Sequence, residues 1–107
     1  MKRYDVQSIE LLVAPDRAFA FIADARELPN WTHAFAEVDG QRARLRTAAG
    51  EIGIELRVAA NAAVRTVDWY MTFPDGSEGS AFSRVVPLGA NRCVYSFTLT
   101  PPPVSLE

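Results

Sequence analysis

The chain has 107 residues, a formal charge of −2, and a composition that is 49% apolar and 22% charged. That length fits one domain over residues 1–107, whose folding would bury roughly two thirds of the surface the unfolded chain exposes. The small net charge gives no electrostatic basis for binding nucleic acid or an anionic membrane, and no apolar run approaches the roughly 18–20 residues of a membrane span, so neither partner is expected.

The start, Met1-Lys2-Arg3-Tyr4-Asp5, is charged and unlike a signal peptide, so a cytoplasmic location is expected. Asn30-Trp31-Thr32 fits a glycosylation acceptor but without secretion is chance. Tyr4 to Val13 is predicted as a first strand, with Ile9, Leu11 and Val13 apolar on one side. Pro15 then suits the first position of a helix, where its missing N–H would be unpaired anyway, and Asp16 complements the helix dipole. Ala18, Phe19 and Ile22 fall on one helical face, with Arg17 and Asp24 left to solvent. A second short turn is expected over Ala25 to Leu28. Pro29 disfavours helical geometry at Leu28, so the chain should leave the helix there and deliver Trp31 to the sheet.

From Phe35 onward the period becomes two, as in an antiparallel meander. Asp39-Gly40 tolerates the positive φ of a tight hairpin. Ala49-Gly50, Asn61-Ala62, Asp75-Gly76 and Gly89-Ala90-Asn91 punctuate the rest, giving six strands near 35–39, 42–48, 51–60, 64–73, 78–87 and 92–100. Ala43, Leu45 and Thr47 oppose three arginines; Ile52, Ile54, Leu56 and Val58 oppose Gly53, Glu55 and Arg57. The later inward rows are Val67, Trp69, Met71 and Phe73, then Cys93, Tyr95, Phe97 and Leu99. Such alternation means one covered and one solvated face. Around Phe82 the register is open, because Ala81, Ser83 and Val85 compete with Phe82 and Val86 for the inner side. Cys93, the one cysteine, makes no internal disulfide and reads as a small core hydrophobe. Pro101-Pro102-Pro103 ends the last strand, because proline cannot donate to a ladder.

One strand, two short helices and a six-stranded meander resemble the α+β helix-grip fold of the START-like (SRPBCC) superfamily, which includes polyketide cyclases/dehydratases, lipid-transfer domains and the birch-pollen-allergen group. The likeness is carried by Ile9-Glu10-Leu11-Leu12-Val13-Ala14-Pro15, by Phe19 and Ile22, and by Leu28-Pro29-Asn30-Trp31. Val67-Asp68-Trp69, Val86-Pro87-Leu88-Gly89 and Arg92-Cys93-Val94 match the family's central strand and final hairpin. These motifs specify fold rather than chemistry. Members usually end with a long helix across the concave face, whereas here the sequence stops at Val104-Ser105-Leu106-Glu107. A naturally short member, a chain cut before the helix, and a cloning tail ending in Leu-Glu are three open explanations. A bare aromatic inner face would exceed the roughly 300–600 Å² patch a monomer tolerates, so a homodimer covering it is expected.

The resemblance implies a small apolar ligand, lipid or polyketide-like, held between sheet and helices, with Trp31, Phe35, Leu45, Ile54, Leu56, Trp69, Met71, Phe73, Tyr95 and Phe97 as its lining. Aromatics at strand spacing are more often simply core. His33, the one histidine, is a weak candidate acid or base, and a lone imidazole without an orienting partner is more often structural. Tyr95 is a second weak candidate, as a donor to a carbonyl or developing oxyanion. No cofactor or metal is expected, since carboxylates and Cys93 lack ligand spacing and Gly76 and Gly79 lack the setting of a phosphate cradle. The outer Arg42, Arg44, Arg46 and Arg57 are expected to pair across strands with Glu51 and Glu55. A cyclase/dehydratase-type enzyme and a protein-interaction module without a small ligand are the alternatives to a ligand-binding domain.

Overall fold

The computed structural model describes residues 4–100. Seven strands, β1 (Asp5–Leu11), β2 (Phe35–Asp39), β3 (Arg42–Thr47), β4 (Gly50–Asn61), β5 (Thr66–Thr72), β6 (Glu78–Gly89) and β7 (Arg92–Leu99), make one curled antiparallel sheet. Their spatial order is β1-β7-β6-β5-β4-β3-β2. Strands β2 to β7 are thus a plain meander, and β1 is added at the far edge by pairing with β7, Ile9 opposite Tyr95. Helix α1 (Pro15–Ala23), a 3₁₀ turn (Ala25–Glu27) and α2 (Leu28–Trp31) connect β1 to β2. Because those two strands are opposite edges, the helical segment has to cross the concave face, where α1 packs on β5 and β6 and α2 on β2. This is the expected α+β helix-grip architecture. The expected proline stop and the missing final helix concern residues 101–107, outside the described residues.

Pro15 opens α1 as anticipated, and Ala18 and Ile22 are its buried face, with Phe19 half-buried against the core. Asp16 in the first turn pairs with Arg65 at 2.8 Å. Arg65 stands at φ 55 in the β4–β5 turn, and its carbonyl accepts the Val85 N–H at 2.9 Å. One strained residue, costing on the order of 1 kcal/mol, therefore ties the turn to both helix and sheet.

The helical exit differs from expectation. The chain does not leave the helix at Leu28; that residue has helical angles (φ −52, ψ −43) and a new turn runs on to Trp31. Pro29 is accommodated because it lies in the first turn of α2, where no N–H is required. The turn closes when the Thr32 N–H and hydroxyl both donate to the Leu28 carbonyl, at 2.9 and 2.8 Å.

The register around Phe82 is resolved by size. On β6, Gly79, Ala81 and Ser83 point inward opposite Met71, Trp69 and Val67 of β5. Three small residues make room for large neighbours: a Cβ on Gly79 would lie 3.3 Å from Phe73 Cε2. Phe82 is on the outer face, edge-on to Tyr70 with ring centroids 6.0 Å apart. The core consists of Leu28, Leu45, Ile54, Leu56, Val67, Trp69, Met71, Phe73, Val85 and Cys93 with their neighbours. Burying each large side chain contributes about 1.5–3 kcal/mol.

The basic outer stripe is only partly paired as expected. Arg44 meets Glu37 at 2.7 Å and Glu51 at 3.5 Å. Arg46 instead donates to the carbonyls of His33 (2.7 Å) and Phe35 (3.2 Å), and Arg57 lies 4.3 Å over the Tyr70 ring. Arginine's planar fork serves carbonyls and aromatic faces as well as carboxylates, so charge pattern did not fix its partners.

Candidate functional site

The curl of the sheet brings β1 and β7 opposite α1 and the segment leaving α2, and a cavity of about 1130 Å³ lies between them. Alternation on β1 sends Ile9 and Leu11 to this side, and β7 adds Tyr95, Phe97 and Leu99. Helix α1 contributes Phe21 and Ile22, and the chain from Trp31 to Ala34 closes one wall. The cavity is open, as the 58% exposure of Ile9 and 44% of Phe21 show. The apolar row of β1 is therefore inward-facing yet uncovered. A second depression of about 700 Å³ is walled by Glu37, Asp39, Arg42, Arg44 and Glu55, which suits an apolar ligand poorly.

The residues nominated from sequence divide in two. Trp31, His33, Tyr95 and Phe97 line the cavity together. Phe35, Leu45, Ile54, Leu56, Trp69, Met71 and Phe73 belong to the packed core. Trp69 touches the cavity indirectly, through its rings' contacts with Trp31 (6.0 Å) and Phe97 (6.4 Å). The sequence reading did not nominate Ile9, Leu11, Phe21, Ile22 or Leu99 as lining. Alternation along β1 and the helical spacing of α1 carry that signal, but which inward rows meet helix and which meet open space depends on how tightly the sheet curls.

Tyr95 is 7% exposed, and burial pushes its phenol up to about 12. The Ser83 hydroxyl, close enough to oppose that shift, gives its own proton to the Val67 carbonyl at 2.6 Å. Tyr95 is thus protonated at neutral pH and serves as a donor rather than a base. Although the Ser83 hydroxyl lies beside it, the Tyr95 hydroxyl makes no hydrogen bond of good geometry among the described residues, and neither do Nε1 of Trp31 and of Trp69. Each such buried orphan costs about 1–3 kcal/mol. His33 is exposed at the cavity wall, and its backbone carbonyl is held by Arg46. Among the described residues no three His, Cys, Asp or Glu side chains gather as a metal site requires, and no helix is long and apolar enough to cross a membrane.

No family model and no curated protein matches the sequence. Among solved structures, the chain is similar to the Zhui aromatase/cyclase from Streptomyces sp. R1128, with TM-score 0.71 and 17% identity over 95% of this chain and 70% of that one. It is similar to the di-domain ARO/CYC BexL from the BE-7585A biosynthetic pathway, also at TM-score 0.71 and 17% identity, covering 92% of this chain but only 35% of that one. A START superfamily protein from Mycobacterium smegmatis aligns over 97% of this chain and 77% of its own, at TM-score 0.66 and 11% identity. At such identities the likeness concerns the fold. A curled seven-stranded sheet gripping two short helices, with these structures as neighbours, shows that the chain adopts the helix-grip fold they share.

Proposed function

We propose that the protein binds an apolar or aromatic small molecule, lipid or polyketide-like, in the cavity between β1, β7 and α1. The carrying observation is the open cavity of about 1130 Å³ with apolar rows from strand and helix on facing walls. Pockets of roughly 300–1,000 Å³ accommodate drug-sized ligands, so a two- or three-ring molecule has room. Affinity comes from apolar burial at about 25 cal/mol per Å², less the cost of immobilising the ligand. The experiment is a thermal-shift screen of fatty acids, flavonoids and polycyclic aromatics; a panel in which nothing raises the melting temperature rejects the reading.

A cyclase/dehydratase-type activity is a second reading, favoured by His33 and the Tyr95 hydroxyl lining one cavity. In it, the cavity walls orient a reactive chain and one of these groups donates the proton that assists loss of water. Separate His33→Ala and Tyr95→Phe variants decide: the enzyme reading requires turnover to fall while ligand still binds.

The homodimer belongs to the same proposal, but on different ground from a bare aromatic wall, because Trp69, Met71 and Phe73 are buried within the chain. The exposed apolar side chains at the cavity, Ile9, Val13 and Phe21, are the surface a second copy would cover. Light scattering that shows a monomer at tens of micromolar rejects it. A cytoplasmic location completes the proposal and is supported by a buried, unpaired Cys93, compatible with a reducing compartment. Fractionation of the native host tests it.

A further inference from the structure

The charged residues that wall the cavity between β1, β7 and α1 are unequally engaged. Among the described residues its one acid, Asp5, accepts from the Gln7 side-chain amide at 3.1 and 3.3 Å. Its arginine, Arg17, forms no ion pair among the described residues. The two carboxylates that bracket α1 are already taken, Asp16 by Arg65 at 2.8 Å and Asp24 by Arg26 at 2.9 Å. His33, also in the wall, is never an anion. Arg17 is thus the uncommitted charge of the site.

Helix geometry sets this cation at the cavity mouth. Arg17 and Phe21 stand four residues apart on α1 and so share a face, and both wall the cavity beside the buried Ala18 and Ile22. Helical side chains lean toward the helix N-terminus, and Arg17 is exposed, so its charge stays hydrated while its stem covers apolar surface. The helix dipole gives a cation in this first turn no support, so the placement does not serve the helix. Asp5 lies at the end of β1 remote from α1, a distance of about 20 Å along the 7 residues of the strand. Positive charge therefore marks one end of an otherwise apolar wall, and negative charge the other.

A wholly apolar ligand leaves the arginine unused, and an ammonium is repelled by it. A carboxylate on an apolar body meets both halves of the site. Its body displaces water from Ile9, Leu11, Phe21 and Phe97, while its head stays at the wet mouth and is spared full desolvation. The planar fork of an arginine matches the two oxygens of such a head.

Resting on the ligand-binding reading above, we infer that Arg17 is the anion-recognising residue of the cavity and that the ligand is an apolar acid, held by its carboxylate at the α1 end with its body along β1 and β7.

The experiment titrates the full chain calorimetrically with decanoate, 1-decanol and decylamine, three head groups on one alkyl tail at neutral pH, against the parent, Arg17→Gln and Arg17→Glu. Because Arg17 is exposed, both variants are expected to fold, with melting temperatures close to the parent's as the check. Decanoate affinity should fall about fivefold in Arg17→Gln, the upper range for an exposed ion pair, and further in Arg17→Glu. Arg17→Glu should also gain affinity for decylamine, and decanol should bind all three proteins alike. In the parent, added salt weakens decanoate but not decanol. Decanoate binding that ignores either substitution, a decanol loss equal to that of decanoate, or decanoate affinity insensitive to salt overturns the inference and leaves the ligand-binding reading standing. If none of the three binds, the inference falls, and the thermal-shift panel alone decides the wider reading.

Discussion

The Tyr95 ring stands edge-on to the Trp31 indole, at 85° with centroids 5.9 Å apart, and so joins the sheet's β7 to the end of α2 across the concave side. T-shaped contacts of this kind add about 0.5–1.5 kcal/mol beyond area burial. The geometry depends on the ring rather than the hydroxyl, which allows the two to be separated by experiment.

Tyr95→Phe keeps the ring and removes the orphaned hydroxyl. Its stability at neutral pH is expected to stay within about 1 kcal/mol of the parent's, because a desolvated polar group is lost together with no more than a poorly aligned contact to Ser83. Urea denaturation measures it. A loss of more than about 1 kcal/mol would show that the hydroxyl is matched in solution.

The same residue predicts an alkaline response. Its folded value of about 12 lies above the ordinary 10.0, so the native state holds the proton longer than the unfolded state does. The stability linked to this proton is fully present below pH 10 and is lost as pH rises from there through about 12. The slope is at most about 1.4 kcal/mol per pH unit. Denaturation midpoints at pH 9 and pH 11 should therefore diverge more for the parent than for Tyr95→Phe; parallel behaviour contradicts the buried phenol.

Ile9 is 58% exposed on the cavity side of β1. Ile9→Thr retains a β-branched side chain, so stability should stay within about 0.5 kcal/mol. Affinity for an apolar ligand should fall about fivefold through the lost apolar contact. Equal affinity would remove β1 from the binding wall.

Gly79 sits beneath the Phe73 ring and beside Met71. Gly79→Val overpacks that layer and is expected to cost about 1–3 kcal/mol, read as a lower urea midpoint with unchanged slope. An unaffected midpoint would mean that Phe73 has room to move.

Cys93 is 0% exposed. Its thiol should react with a disulfide reagent only when the sheet opens, with protection lost at the urea concentration where tryptophan fluorescence changes. Rapid labelling of native protein would contradict the placement of β7.

How far the sequence revealed the site can be judged from particular residues. Val67, Trp69, Met71 and Phe73 alternate without interruption, and they occupy the inner face as expected, because a two-residue period admits one answer where one face is covered. Phe82 was ambiguous because hydrophobicity favours it inside, whereas the bulk of Trp69 and Met71 across the ladder demands Ala81 and Gly79 there. Pairing with a neighbouring strand settled what its own segment did not. Leu28 was misassigned because the local bias before proline is weaker than the packing of a 2% exposed leucine into the core. The division between lining and core was not legible, since Phe97 and Trp69 share one face of the sheet and only curvature and helix placement separate them.

The pairing of β1 with β7 sets the order in which the molecule can be assembled. Ser8 meets Ser96, 88 residues away, and among the described residues β1 has no other neighbour in the sheet. A chain emerging from the ribosome carries its first strand unpaired until the seventh is released, while the hairpins of β2 to β6 can zip locally. Closing so long a loop is entropically slow. The wall of the cavity that includes Ile9 thus depends on the strand pairing of greatest sequence separation in the sheet.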